Sequence, residues 1–418
     1  MGISIGLVGL GSFGSSFAPL FKNHPAVDRI GFCDREAALV DKFATDPFYA
    51  NKFNPRDRYS AIDEICSADF DALVVITQPW LHAPQCLQAL ESGKHVYSAV
   101  PLMSIPDNNE TLEWCDKLVE AVKRTGRSYM LGETTFYRPE AMYCRRKARE
   151  GAFGDFVYAE GEYMHDVDAS CNLRAVQRRR ESSASGREWP PILANYTARG
   201  IQGGPMHYPT HSVSGPVCVM NAHAVRVNAY GYRNRDNDPF FAKDAFSNTM
   251  ALFKMNNGAV VRILEAREMP GLAGNEGETF RVFGTRGSFS ERRWFETQRP
   301  TFPEPDFENL PKPTMATLTR EEMFDPLPPD VELAFKQVMH RNKADDELLS
   351  IDFQPTGHGG SHPYLVHEFV DAVVNNRQPA INVWEAARYM AMGVAAHESA
   401  LRDGETVTVA DWGNAPAD

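Results

Sequence analysis

Several large classes of protein are set aside by what this sequence has little of. Its seven cysteines (Cys33, Cys66, Cys86, Cys115, Cys144, Cys171 and Cys218) are odd in number, scattered and without a Cys-x-x-Cys pair. That pattern is neither a disulfide framework nor a zinc motif, and buried thiols in a reducing compartment are the expectation. No apolar run reaches the ~20 residues of a membrane-spanning helix. The N-terminal MGISIGLVGLGSFG has no basic region ahead of an apolar core, so no signal peptide and a cytoplasmic location are expected. Cations are in deficit too: 43 Lys and Arg stand against 55 Asp and Glu, a net charge of −12. Such a chain is poorly suited to displacing counterions from nucleic acid or to docking on an anionic membrane.

What remains is an ordinary globular composition of 418 residues, 43% hydrophobic and 23% charged. At roughly 150 residues per domain this is a chain of two or three domains. Up to about residue 135, strand-like and helix-like segments alternate. The apolar runs 3–8, 29–34, 72–77, 94–98 and 128–132 read as strands, and 13–22, 82–92 and 107–125 as helices. Strands separated by such helices form right-handed crossover units and a parallel sheet. After Tyr137 the texture changes. Residues 155–166, 224–232, 247–255, 259–268 and 279–295 read as strands of a mostly antiparallel sheet, with Asn256-Asn257-Gly258 as a hairpin turn. Helices are expected at 362–376 and 384–402. The boundary falls near 135, giving a first domain over 1–135 and a second over 136–418. Two stretches read as irregular arms: 172–202, which carries Arg174, Arg178, Arg179 and Arg180, and 299–330, which holds eight prolines.

The sharpest motif is Gly9-x-Gly11-x-x-Gly14. It follows a strand, opens a helix through Ser12 and Phe13, and has Asp34 at the end of the next strand, 20 residues past Gly14. Gly9 permits the tight turn, Gly11 lets the backbone approach a pyrophosphate, and Gly14 allows close packing of helix on strand. The helix N-terminus offers free N–H groups to the phosphates. Asp34 would accept hydrogen bonds from ribose hydroxyls and repel a 2′-phosphate, which favours NAD. Arg35 next to it can stack on adenine or meet a phosphate. The fold class is therefore α/β: an N-terminal Rossmann dinucleotide-binding domain plus a C-terminal α/β domain with a mostly antiparallel sheet.

With Thr77-Gln78-Pro79…His82 and Gly93-Lys94-His95-Val96…Pro101, the chain resembles the Gfo/Idh/MocA family of NAD(P)-dependent sugar and cyclitol oxidoreductases. The resemblance implies that Thr77, Pro79, His82, Val100 and Pro101 join the glycine loop in holding NAD. It also implies an active site where the nicotinamide meets the second domain, whose open sheet commonly serves a homodimer or tetramer. Dehydrogenases of the family carry Glu-Lys-Pro where this chain has Ala99-Val100-Pro101, and a valine moves no proton. They also tend to carry Asp-x-x-x-His where this chain has His207-x-x-x-His211.

Tyr208-Pro209-Thr210-His211…Gly215-Pro216-Val217 is instead similar to one branch, the NAD-dependent glycoside hydrolases typified by α-N-acetylgalactosaminidase. Val100-Pro101, Glu133…Tyr137-Arg138 and Gly357-His358-Gly359-Gly360 match that branch as well. Ala99, where the branch has Glu, does not. The branch chemistry oxidises a ring hydroxyl, which acidifies the neighbouring C–H so that the C1 substituent leaves; water then adds and the hydride returns. It needs two bases. His211 is the candidate for the hydroxyl proton, as a neutral imidazole near its ordinary pKa. His207 stands at helical spacing from it, although Pro209 suits the start of a helix. Tyr208 and Tyr137 are candidates for the second proton or for the oxyanion. His165, Asp166, Asp168, His358 and Glu133 are candidate substrate ligands, and the arginines could clamp an anionic sugar. His165, Asp166, Asp168, His207, His211, His358 and His362 show no metal-ligand spacing, so no metal is expected. The expected function is an NAD-dependent enzyme acting on a carbohydrate hydroxyl, as a redox-neutral glycosidase or a plain dehydrogenase or keto-sugar reductase. A non-catalytic NAD-binding sensor or partner subunit is the alternative.

Overall fold

The computed structural model describes residues 2–168, 172–270, 277–297, 308–309 and 312–416. Two sheets organise them. The first is six-stranded in the order β3-β2-β1-β4-β5-β6, and every pair is parallel. Its strands are β1 (Ile3–Val8), β2 (Val27–Cys33), β3 (Phe53–Tyr59), β4 (Ala72–Val75), β5 (His95–Ser98) and β6 (Tyr129–Leu131). This order reverses direction between β1 and β4, and dinucleotides bind in the crevice at such a switch point. β1, β4 and β5 are buried along nearly their whole length, as parallel strands covered on both faces are. β3 is the strand that periodicity misses: FNPRDRY is largely polar and contains Pro55. It lies at the sheet edge, where a missing N–H costs no ladder bond.

The second sheet has nine strands in the order β14-β13-β12-β11-β7-β10-β9-β8-β15. They are β7 (Phe156–Met164), β8 (Ala224–Tyr232), β9 (Asn248–Met255), β10 (Val260–Ala266), β11 (Glu278–Gly284), β12 (Gly287–Ser290), β13 (Arg293–Glu296), β14 (Thr314–Thr317) and β15 (Val407–Thr408). Only β7 and β10 pair parallel; the stretch 279–295 resolves into three strands rather than one. One face is covered by helices Thr210–Met220 and Val383–Leu401. The approach is close: a Cβ on Gly161 of β7 would sit 1.8 Å from the Ser212 carbonyl oxygen. Glycine there lets the helix that carries His211 lie directly on the sheet.

The stretch 172–202 is not irregular. It forms helices Leu173–Ser182 and Trp189–Ala198, because LRAVQRRRES is good helix-forming sequence and Asn172 caps it by accepting from the Ala175 N–H. Of 299–330, residues 299–307 and 310–311 lie outside the described residues, as does Cys171. The remainder includes β14 and helix Arg320–Met323. No helix among the described residues is long and apolar enough to cross a membrane.

Candidate active site

The glycine loop has the geometry its spacing predicts. Gly9 has φ +91°, and a Cβ there would lie 2.1 Å from the Ile76 carbonyl oxygen. A Cβ on Gly14 would lie 2.0 Å from the Gly9 oxygen, whereas Gly11 faces open space with nothing within 4 Å. Helix Ser12–Asn23 starts there without a side-chain cap, so its first N–H groups point at that space. Asp34 is fixed by accepting from the Leu10 N–H at 2.7 Å and the Glu36 N–H at 2.8 Å. Loop, free helix end and fixed carboxylate fit a pyrophosphate and an adenosine ribose.

His82 holds the other wall. It is buried, its Nδ1 donates to the Pro101 carbonyl at 2.8 Å, and its Nε2 lies 3.3 Å from the Thr77 carbonyl. Burial lowers its pKa to about 4, so the ring is neutral. His82 thus ties the loop after β4 to the loop after β5 and positions Thr77 and Pro101. Tyr208 reaches the same loop from the second domain, its hydroxyl donating to the Val100 carbonyl at 3.2 Å.

At the centre stands His211, on the first turn of helix Thr210–Met220. Its Nδ1 donates to Glu133 Oε1 at 3.0 Å, and Glu278 Oε2, from the start of β11, is 3.9 Å away. Glu133 is fully buried and also accepts from the Thr135 N–H at 2.8 Å. Burial lowers the imidazole, but the two carboxylates outweigh it and push His211 up to about 9. Burial raises Glu133, while the His211 charge and its hydrogen bonds hold it net below the usual carboxylate range. His211 is therefore an imidazolium at neutral pH and not the ordinary neutral base expected from sequence. Arg138 pairs with the Glu278 carboxylate and also donates to its main-chain carbonyl at 2.9 Å.

Around this pair lie aromatic and histidine groups. Tyr163 meets His211 edge-on at 4.9 Å, Tyr208 lies at 5.6 Å, and Arg267 sits 4.7 Å over the Tyr163 ring. His165, at the end of β7, is lowered to about 3, by burial first and then by Arg267 and His211. His358 is held at φ +40° among glycines with positive φ, and a Cβ on Gly359 would touch the Arg138 side chain. Its Nδ1 is 3.0 Å from His362 Nε2, and Phe13 of the glycine-loop helix packs edge-on 5.3 Å away. Burial, then the His211 charge, lowers His358. The Gly-His-Gly-Gly loop thus joins the dinucleotide wall to the His211 cluster.

Four expected residues have other partners. His207 lies in the turn before the helix; its Nε2 faces Asn108 Oδ1 at 3.0 Å and its ring packs on His397 at 4.5 Å. Tyr137 is buried, and the charged groups acting on it are Glu368, Arg145 and Arg377, none from the His211 cluster. Asp168 pairs with Arg174, which also pairs with Asp238. Asp166 is buried and accepts from the Asp168 N–H at 2.9 Å, so it shapes the end of β7. Glu278, Arg267 and Tyr163 were missed. Tyr163 had a signal, since it sits in the strand that delivers His165; Glu278 had none.

These features define a dinucleotide-binding Rossmann domain joined to a second α/β domain across a buried histidine–carboxylate cluster. Residues 3–133 match the Gfo/Idh/MocA family model, described as "Oxidoreductase family, NAD-binding Rossmann fold". Two curated relatives from Shewanella are each 29% identical over 170 residues, 40% of this chain and 36% of their own length. They are a glycosyl hydrolase family 109 protein of strain W3-18-1 and the α-N-acetylgalactosaminidase of S. oneidensis. The alignments thus span about a third of those relatives. Among solved structures, levoglucosan dehydrogenase in complex with NADH superposes with a TM-score of 0.69 at 18% identity, covering 98% of this chain and 100% of that one. The N-terminal domain thus matches the NAD-binding Rossmann model of that family, and the whole chain shares the fold of its solved neighbour.

Proposed function

We propose that the protein is an NAD-dependent oxidoreductase acting on a ring hydroxyl of a sugar or glycoside, and that it works as a redox-neutral glycosidase. The observation that carries this is a pair of histidines at one site with pKa values pushed apart. His211 is raised by two carboxylates and His358 is lowered by burial and by His211. Two titratable groups driven in opposite directions mark an acid and a base. NAD, held by the glycine loop and Asp34, would supply a hydride acceptor and donor. In its neutral form His211 takes the hydroxyl proton in the oxidising direction and, as imidazolium, returns it to the ketone oxygen. His358, neutral near pH 7, is the base for the C–H next to that ketone. Tyr208, anchored to the Val100 carbonyl, lies with its ring 5.6 Å from that of His211. Val100 replaces the lysine implied for plain dehydrogenases, which leaves His211 as the group for the hydroxyl.

The test is an account of electrons. The purified protein, with NAD, is incubated with a panel of aryl glycosides and with the free sugars. Aglycone release without net NADH supports the proposal. NADH formed one-for-one from a free sugar contradicts it and supports the second reading, a plain dehydrogenase or keto-sugar reductase, which Ala99 favours. An H211A variant that retains every hydride transfer would contradict the catalytic role given to His211.

A further inference from the structure

Arg35 follows Asp34 at the end of β2, the place from which an arginine can receive the 2′-phosphate of NADP. In this chain it is already engaged, with its Nη2 2.8 Å from Glu188 Oε1. Glu188 does not come from the dinucleotide-binding sheet. It stands at the start of helix Trp189–Ala198, in the stretch that leaves the second domain after β7. That stretch also docks on the nucleotide domain around the cleft. The Ala184 N–H donates to Glu36 Oε1 at 2.8 Å, Gln78 Nε2 donates to Ser183 Oγ at 3.3 Å, and Trp189 stacks on Trp80 at 4.6 Å with planes 15° apart. Glu36 follows β2, whereas Gln78 and Trp80 follow β4. Since β1 lies between those strands, the stretch bridges the crevice in which a dinucleotide would lie.

We propose that Glu188 is a specificity-determining residue for NAD over NADP, exerting from the second domain a selection usually built into the first. It pairs with Arg35, the cation that directly follows Asp34. Asp34 and Glu36 already stand there, so a 2′-phosphate would meet their carboxylates and an Arg35 whose guanidinium is already paired with Glu188. The ribose hydroxyls of NAD are donors and suit the same carboxylates. The stacked tryptophans and the Ala184–Glu36 bond hold Glu188 in register with Arg35. Both partners of the pair are about half exposed, at 49% and 47%, so the effect is modest.

The proposal rests on the dinucleotide reading, and one experiment separates the two. Dissociation constants for NAD and NADP are measured by equilibrium dialysis on the full chain, for wild type, E188Q, R35Q and the double variant. Melting temperatures serve as the check on folding. Wild type is expected to favour NAD. E188Q is expected to lower the ratio of the NADP to the NAD constant by about threefold to fivefold, and to leave it unchanged when Arg35 is already Gln. Equal weakening of both nucleotides by E188Q, an unchanged ratio, or the same shift in the R35Q background would overturn the proposal. A wild type that binds neither nucleotide overturns the dinucleotide reading and the proposal with it.

Discussion

His211 and Glu133 form a buried ion pair, imidazole Nδ1 to carboxylate Oε1 at 3.0 Å, across the junction of the two domains. Glu133 follows the last strand of the first sheet, and His211 opens the helix that lies on the second. The group proposed for proton transfer is therefore held by a carboxylate from the other domain, and the two domains must be docked for His211 to keep its raised pKa.

The oxidising direction needs His211 neutral, so the first prediction concerns pH. Oxidation should rise with pH along a limb centred near 9, and the reductive direction should fall through the same limb. In E133Q one of the raising carboxylates is gone while burial remains, so the limb should move down by at least about one pH unit. A pH–rate profile of both proteins checks this; an unmoved limb would assign the titration to another group.

The same pair should appear in stability. The folded pKa of His211 lies above its unfolded value of 6.5, so its stabilising contribution is complete below about pH 6.5 and is lost as pH rises through about 9. Denaturant unfolding of wild type and H211Q should therefore show a larger gap at pH 6 than at pH 9.5.

The glycine loop gives a paired prediction. Gly9→Ala would place a Cβ 2.1 Å from the Ile76 carbonyl oxygen at φ +91°, and should destabilise the fold by about 2 kcal/mol or more. Gly11→Val meets nothing within 4 Å of its Cβ, so the melting temperature should hold. NAD affinity should nevertheless fall by more than about tenfold, because the side chain fills the space of the pyrophosphate.

How far the sequence discloses this site depends on how local each part is. Gly9, Gly11, Gly14 and Asp34 lie within 26 residues, and their roles follow from one strand–turn–helix unit. His211 and the glycine-rich loop of His358 were legible through motif resemblance. Glu278 was not: it lies far along the chain, and only the pairing of β11 with β7 brings it beside His211. The four-residue spacing of His207 and His211 is not a helical one, as Pro209 implies. The helix begins at Thr210, so the two histidines never share a helical face. Arg35 looked available to a phosphate because nothing local shows that a residue more than 150 positions later would engage it.

His82 should behave as a positioning residue. H82A removes a buried ring and its bond to Pro101, at a cost of about 2 kcal/mol in stability. It should weaken NAD binding while leaving the pH limb of His211 in place. A limb displaced in H82A would show that His82 acts on the proton chemistry itself.

The central claim is that a C–H bond beside the oxidised carbon is broken and remade at this site. Its most direct measurement is turnover of a cleaved glycoside in deuterium oxide, followed by NMR of the released sugar. Deuterium at the carbon next to the oxidised one, lost in H358A, is the result predicted. Cleavage with no deuterium at that carbon would contradict the account.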